Sequence, residues 1–420
     1  MQQAARADGS KYFSKGNSLV TLMARSWKQL LVMLLAVAAS AAATHYYDIR
    51  SEHRSRGTRP LLRSGPWGDL QEWDIRVEQP LEYVGLERMD ESGPSWNFGT
   101  MTEPAVLAFL RESGCTDQQA QALLQTRSGT GSGDFVLRPR EKELLSLSRE
   151  VRSKLYLMLA GNPANRFQAN PYYIPNGDFE RLFDEDRLPV DVDRLIEGLL
   201  YTRNGYTYFS DPEIVLIHLR SPAQKSAFIQ SLTSMNAVLL RVLVRPGSDL
   251  DKPINYWALS MAGVYSKDLR PLLEAQERMS DGGSVSILYF LPPMVRDRLY
   301  TTPLPPGPSA AKMPDCHWSA LNYFLPVPDP KMGDNDYAAS YILQNFYEIG
   351  SPTMAGDLVL LLDRKNDVIH SAVHLADDVV FTKNGINFAQ PWILMREKDL
   401  RGHFSALEAV KTVYYRRKGK

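Results

Sequence analysis

Between residues 356 and 385 the apolar positions fall into three short blocks divided by polar turns. Gly356 to Asp363 reads as a buried strand, with Arg364-Lys365-Asn366-Asp367 as its turn. Val368 to Leu375 reads as a second strand, Ala376-Asp377-Asp378 as a second turn, and Val379 to Asn384 as a third strand ending at Gly385. Tight turns between such blocks predict an antiparallel meander. Alternation puts His370, Ala372 and His374 on one face of the second strand and Ile369, Ser371 and Val373 on the other. In the third strand Thr382 and Asn384 share a face, and Lys383 points away. Upstream, Pro314-Asp315 leads into an amphipathic run beginning at Cys316, which predicts a helix with the thiol in its first turn.

Helical periodicity dominates further upstream. Thr102-Glu103-Pro104 caps a helix over Ala105 to Glu112, and Thr116-Asp117-Gln118-Gln119 opens another that runs to Gln125. Arg127 to Gly133 reads as a Ser/Gly/Thr loop. Arg140 to Ala160 predicts one long amphipathic helix, stopped by Gly161-Asn162-Pro163. Val190 to Tyr201 and Pro222 to Met235 read as helices. Ile214 to Leu219, Ala237 to Val244 and Val285 to Leu291 read as strands, the last two buried on both faces. The aromatics Tyr172, Tyr173, Tyr201, Tyr206, Tyr208, Phe209, Tyr256 and Trp257 suit either core packing or stacking on sugar rings, and packing is the expectation.

The chain has 420 residues with equal numbers of basic and acidic side chains, which points to neither nucleic acid nor electrostatic membrane binding. That length predicts two or more domains. The organisation expected is a signal peptide over 1–44, with Met23 as an alternative start, then an irregular lead-in or tether over 45–100. A helix-rich mixed α/β domain over 101–300, a Pro-rich linker over 301–314 and a C-terminal domain over 315–420 follow. The signal-peptide reading rests on Arg25 and Lys28 before the uncharged run Leu30 to Ala43, which ends in small residues. The run is shorter than the ~20 residues of a spanning helix, so cleavage is favoured over an uncleaved N-terminal anchor. Export would let Cys115 and Cys316 pair as a disulfide, but one buried cysteine and one reactive thiol is the simpler account.

Asp315-Cys316, Gly356-Asp357-Leu358-Val359 and His370-Ser371-Ala372-Val373-His374-Leu375 together resemble the NlpC-type family of bacterial cell-wall cysteine peptidases. The resemblance covers the last 120 or so residues, about the size of a small domain. It implies an α+β, papain-like C-terminal domain in which a helix-borne Cys packs on an antiparallel meander. It also implies Cys316 as nucleophile, His370 as general base and a third polar residue that orients the imidazole. Asn384 is favoured for that third role, since an amide oxygen accepts from an imidazole N–H, with Thr382 as the alternative. The thiol is then expected within about 4 Å of a His370 ring nitrogen.

His317-Trp318 stands where the family carries Ser-Gly, and Tyr300 is the nearest match to a family Tyr upstream of the Cys. Asp315, His317, Trp318, Tyr300 and His374 are accordingly the candidate substrate-binding residues. No cofactor or metal is expected, because His370 and His374 would lie ~13 Å apart along a strand. The implied substrate is a peptidoglycan stem peptide or another amide. The implied place is the periplasm or cell envelope of a bacterium; the alternatives are a binding or scaffold protein that has lost turnover and a related amidase or acyltransferase on a non-wall substrate. The sequence leaves the oligomeric state open.

Overall fold

The computed structural model describes residues 60–80, 93–128, 133–179, 190–260, 265–303, 314–385 and 389–419. The expected signal peptide and most of the Pro-rich segment lie outside them. Residues Leu61–Lys420 form one unit.

The expected tether contains a hairpin, β1 (Leu61–Gly65) and β2 (Gly68–Val77). A helix-rich region follows, with β3 (Trp96–Asn97), α1 (Glu103–Glu112), α2 (Asp117–Leu124), β4 (Arg127–Ser128) and β5 (Val136–Leu137). Thr116 closes the expected capping box with Gln119 at the start of α2. The long helix expected over 140–160 is two helices, α3 (Glu141–Ser146) and α4 (Arg149–Leu159). Leu147 is extended, and the Ser148 side chain accepts from Val151 N–H, so an N-cap restarts the helix there.

The chain continues through α5 (Arg166–Ala169), β6 (Tyr172–Ile174), α6 (Val190–Leu199), β7 (Tyr201–Arg203) and β8 (Tyr206–Phe209). Next come α7 (Pro212–His218) and α8 (Pro222–Thr233). The strand expected over 214–219 is therefore helix, since Pro212 starts a helical turn and Ile214, Val215 and Leu216 are all buried. Tyr201, Tyr208 and Phe209 are buried in the core of this region, with Trp96, Tyr156 and Phe228. Arg152 lies wholly inside it and donates to the carbonyls of Leu144, Leu147, Gly198 and Leu200.

The long strand β9 (Met235–Val244) precedes α9 (Asp251–Ser260), α10 (Ser266–Glu277) and β10 (Gly283–Ser286). The strand expected over 285–291 stops at Ser286, whose hydroxyl accepts from Leu288 N–H and turns Ile287–Phe290 into a 3-10 helix. The first sheet has the order β1-β2-β9-β10, antiparallel throughout. After α11 (Pro293–Arg296) come α12 (Cys316–Asn322), α13 (Asn335–Asn345) and β11 (Phe346–Ile349). The meander follows as β12 (Leu358–Leu362), β13 (Val368–Ala376) and β14 (Val379–Lys383), then β15 (Trp392–Arg396), α14 (Glu397–Phe404) and β16 (Lys411–Arg417). The six-stranded sheet runs β11-β16-β12-β13-β14-β15, again antiparallel. The chain is thus a mixed helix and sheet protein, in keeping with an α+β class.

Both faces of this sheet are covered, which is why β12 reads as an unbroken apolar run. On one face Leu358, Leu360, Val373, Leu375, Phe381, Trp392 and Leu394 pack with Ala320, Leu321 and Tyr323 of α12 and its C-cap. On the other, Val359, Leu361, Ala372, Val380, Ile393 and Met395 pack with Leu400 and Phe404 of α14 and with Met235 and Ala237 of β9. The first core also holds Leu70, Val242, Trp257 and Phe290, so residues on both sides of the Pro-rich segment share one interior. Among the described residues, those before and after 301–314, where a linker between domains was expected, share this core rather than forming two. Leu299 bridges to Trp392, Tyr300 N–H donates to Trp392 C=O, and Trp392 N–H donates to Thr301 C=O.

Candidate functional site

Cys316 is the first residue of α12. Asp315 caps that helix, its carboxylate accepting from Trp318 N–H at 2.8 Å. Trp392 Nε1 donates to Ser319 Oγ at 2.8 Å, and Tyr323 packs on Phe381 with ring centroids 6.0 Å apart, so α12 is stitched to the face made by alternate residues of β14 and β15. His317 completes the contact with β13, its Nδ1 lying 2.7 Å from Ser371 Oγ.

The β13–β14 ladder stops near the thiol. The β13–β14 pairs are Val373↔Phe381, His374↔Val380 and Ala376↔Val379, and the ladder is not continued to Ser371 and Lys383. His374 directs its N–H and C=O to Asp357 and Gly356 on the β12 side. By alternation, Ser371 directs its N–H towards β14. Cys316 sulfur takes up that N–H, and the backbone N–H groups of His317 and Cys316 also favour its thiolate. Burial outweighs these donors. The thiol, 5% exposed, is pushed up to about 11, with Asp315 adding to the rise, and is protonated at neutral pH.

His370 lies on the opposite face. It pairs with Leu361 on β12, and its ring packs on Phe404 with centroids 4.2 Å apart. Its Nε2 lies 2.7 Å from Thr382 Oγ1, and its Nδ1 has no hydrogen-bond partner among the described residues. The expected hydrogen bond between Cys316 and His370 is therefore not formed in this structure. The reason is the period of two in a strand: Ser371 and Lys383 share the face covered by α12, and His370 and Thr382 share the face covered by α14. Burial, and secondarily the nearby His317 and His403, hold the His370 imidazole well below its usual range, so it is neutral.

The partner of His370 is Thr382 rather than Asn384. Asn384 stands one step further out, accepting from Thr382 Oγ1 at 3.3 Å. Trp318 lies beside Cys316 under the Arg298 guanidinium, which is 5.6 Å from the Trp318 ring and 5.9 Å from the Trp392 ring. Tyr300, at φ +62°, gives its hydroxyl to Val238 C=O at 2.6 Å. His374 lies four residues along β13 from His370, and burial lowers its imidazole to about 4. Neither Tyr300 nor His374 is bonded to the thiol. Cys115 and Cys316 are both free and buried. A small cleft lined by Phe324, Ala355, Asp357 and Arg416 touches none of Cys316, His370 and Lys383.

Sequence reasoning passed over Lys383, which is wholly buried on the α12 face. It pairs with Trp392 across β14–β15, its Nζ lies 5.9 Å from that ring, and it donates to Gly385 C=O at 2.7 Å. Burial lowers it to about 8, while Cys316 and Asp315 pull it back up. The alternation Val379, Phe381, Lys383 was the signal that could have found it, since it continues an apolar face into a cation.

No family model matches this chain, and neither a curated protein nor a solved structure matches it. Among the described residues no helix is long and apolar enough to cross a membrane.

Proposed function

We propose that the C-terminal part of the chain, from Asp315 onward, is a papain-like thiol hydrolase of amide bonds, exported to a bacterial envelope, with peptidoglycan stem peptides as the substrate class. The observation that carries this reading is the set of backbone N–H groups of Ser371, His317 and Cys316 around the Cys316 sulfur at the start of α12. Such donors stabilise both a thiolate and the oxyanion formed when it attacks a carbonyl. In this reading sulfur attacks the carbonyl carbon, the C–N bond breaks, and the amine leaves with the proton taken from the thiol. Water then hydrolyses the thioester. His370, neutral and therefore able to accept a proton, is the base in this reading, which requires β13 to shift so that its imidazole leaves Thr382 and meets the sulfur.

The test is muropeptide release from purified sacculi by wild type, Cys316→Ala and His370→Gln proteins. Release by wild type alone is expected. Equal release by Cys316→Ala would exclude this nucleophile. Loss in a His317→Gln protein with His370→Gln still active would move the base to the imidazole next to the thiol.

One observation favours a second reading, a binding or scaffold protein without turnover: a buried thiol near 11 whose expected base is bonded elsewhere. On that reading iodoacetamide labels Cys316 no faster than a model thiol near neutral pH.

A further inference from the structure

The thiol face of the sheet holds a buried cation beside the nucleophile. Lys383 follows Phe381 by two residues on β14 and so shares its face, and Phe381 packs on Tyr323 at the end of α12. Across β14–β15 it pairs with Trp392, whose indole is bonded to Ser319, three residues after Cys316. Ser371, whose N–H serves the sulfur, is where an unbroken β13–β14 ladder would set a partner for Lys383, two steps beyond Val373↔Phe381.

We propose that Lys383 is a positioning residue for Cys316, its ammonium supplying the counter-charge that stabilises the thiolate in place of the hydrogen-bonded imidazole expected there. This rests on the thiol hydrolase reading above. The geometry explains why an ammonium is tolerated there: Gly385 C=O accepts one of its protons, and the Trp392 ring faces it. An anion formed at Cys316 adds a partner in a dry setting, where opposite charges interact far more strongly than in water. The other charged or titratable groups facing this corner are Asp315 and His317 on α12 and its cap, and Arg298 over Trp318 and Trp392. Asp315 opposes the thiolate. Lys383 offsets it from the sheet side.

The experiment is the pH dependence of Cys316 alkylation by iodoacetamide in the full chain, read at Cys316 by peptide mass so that Cys115 does not contribute. Below about pH 8, where Lys383 still carries its charge, Lys383→Met should cut the alkylation rate roughly tenfold, the equivalent of one pKa unit at Cys316. Lys383→Arg should keep most of it. An unchanged rate below about pH 8 in a Lys383→Met protein that melts like wild type overturns the proposal. If Lys383→Met does not fold, the coupling is read from the other side. The Lys383 side-chain carbon, titrated by NMR in Cys316→Asp, which puts a carboxylate at the thiol's place, and in Cys316→Ser, should show a higher pKa with the carboxylate present, and identical curves overturn the proposal. Absence of sacculus hydrolysis by wild type removes the hydrolase reading and leaves the alkylation result standing. Hydrolysis with an unchanged alkylation rate below about pH 8 removes Lys383 alone.

Discussion

The two faces of the six-stranded sheet carry different chemistry at the same level of β13 and β14. On the α12 side lie a thiol, a half-buried imidazole, a hydroxyl and a buried ammonium: Cys316, His317, Ser371 and Lys383. On the α14 side lie a buried neutral imidazole and the hydroxyl bonded to it, His370 and Thr382, sealed by Phe404. Each face takes one member of two adjacent pairs, His370-Ser371 and Thr382-Lys383. The contrast teaches that a strand motif divides its residues between two environments, and that the helix carrying the nucleophile selects which half it meets. The β13–β14 ladder stops at Val373↔Phe381, just short of these two pairs.

If the α12 face is a packed core, removing its largest ring should cost more than any polar change where the ladder stops. Phe381 is wholly buried and stacks near Tyr323. Phe381→Ala should lower stability by about 3–5 kcal/mol through lost burial and the cavity left behind. Urea unfolding measures it. A loss under about 1 kcal/mol would mean that α12 is loosely seated and that the two faces differ less than their contacts suggest.

The α14 face should announce itself through pH. His370 and His374 are held neutral by burial, His370 well below its ordinary value and His374 at about 4. An unfolded histidine titrates near 6.5, as a reference value. Above that pH neither state is protonated, and the stability is fully present. As pH falls from about 6.5 towards 4, the unfolded chain takes up protons that the folded chain refuses, so stability is lost. His374 alone accounts for roughly 3 kcal/mol across that window. A urea midpoint that stays constant between pH 7 and pH 5 would show that these imidazoles are already solvated.

Much of this was legible beforehand. The polar turns and apolar blocks of 356–385 gave β12, β13 and β14 nearly to the residue, because tight turns and doubly buried strands leave strong local marks. Asp315-Cys316 gave the start of α12 because capping is local. The hairpin at 61–77 was missed because its partner is β9, more than 150 residues away, and half-exposed strands carry little pattern of their own. Val285 to Leu291 failed because a serine cap at Ser286 overrides a run that strand and buried helix can equally claim. At the site, the alternation of β13 and β14 was read correctly, but which face α12 would cover is a tertiary fact. That choice separated His370 from Cys316 and brought Lys383 in.

A smaller change sharpens the α14 side. Thr382→Val keeps the shape of the side chain and removes the hydroxyl that meets His370 Nε2 at 2.7 Å. The imidazole then has a second buried nitrogen to leave unsatisfied, beside Nδ1. The expected cost is about 1–3 kcal/mol, the penalty for a buried polar group without a partner. In the hydrolase reading the same change releases the base from its partner, so stability and activity should move in opposite directions. A Thr382→Val protein as stable as wild type would mean that water reaches the imidazole.

The matching change on the α12 side should be the mildest. Ser371→Ala removes the hydroxyl that His317 Nδ1 meets at 2.7 Å, but His317 is only partly buried and water can replace the bond. A loss under about 1 kcal/mol is expected, smaller than for Thr382→Val because desolvation, not the bond itself, sets the cost. The donor that serves the thiol is the Ser371 backbone N–H, which the substitution leaves in place. Alkylation of Cys316 should therefore stay within about twofold of wild type, well short of the tenfold that one pKa unit produces. A larger slowing would mean that the Ser371 hydroxyl holds the His317 ring against the sulfur, and that the imidazole serving Cys316 is its own neighbour in the chain.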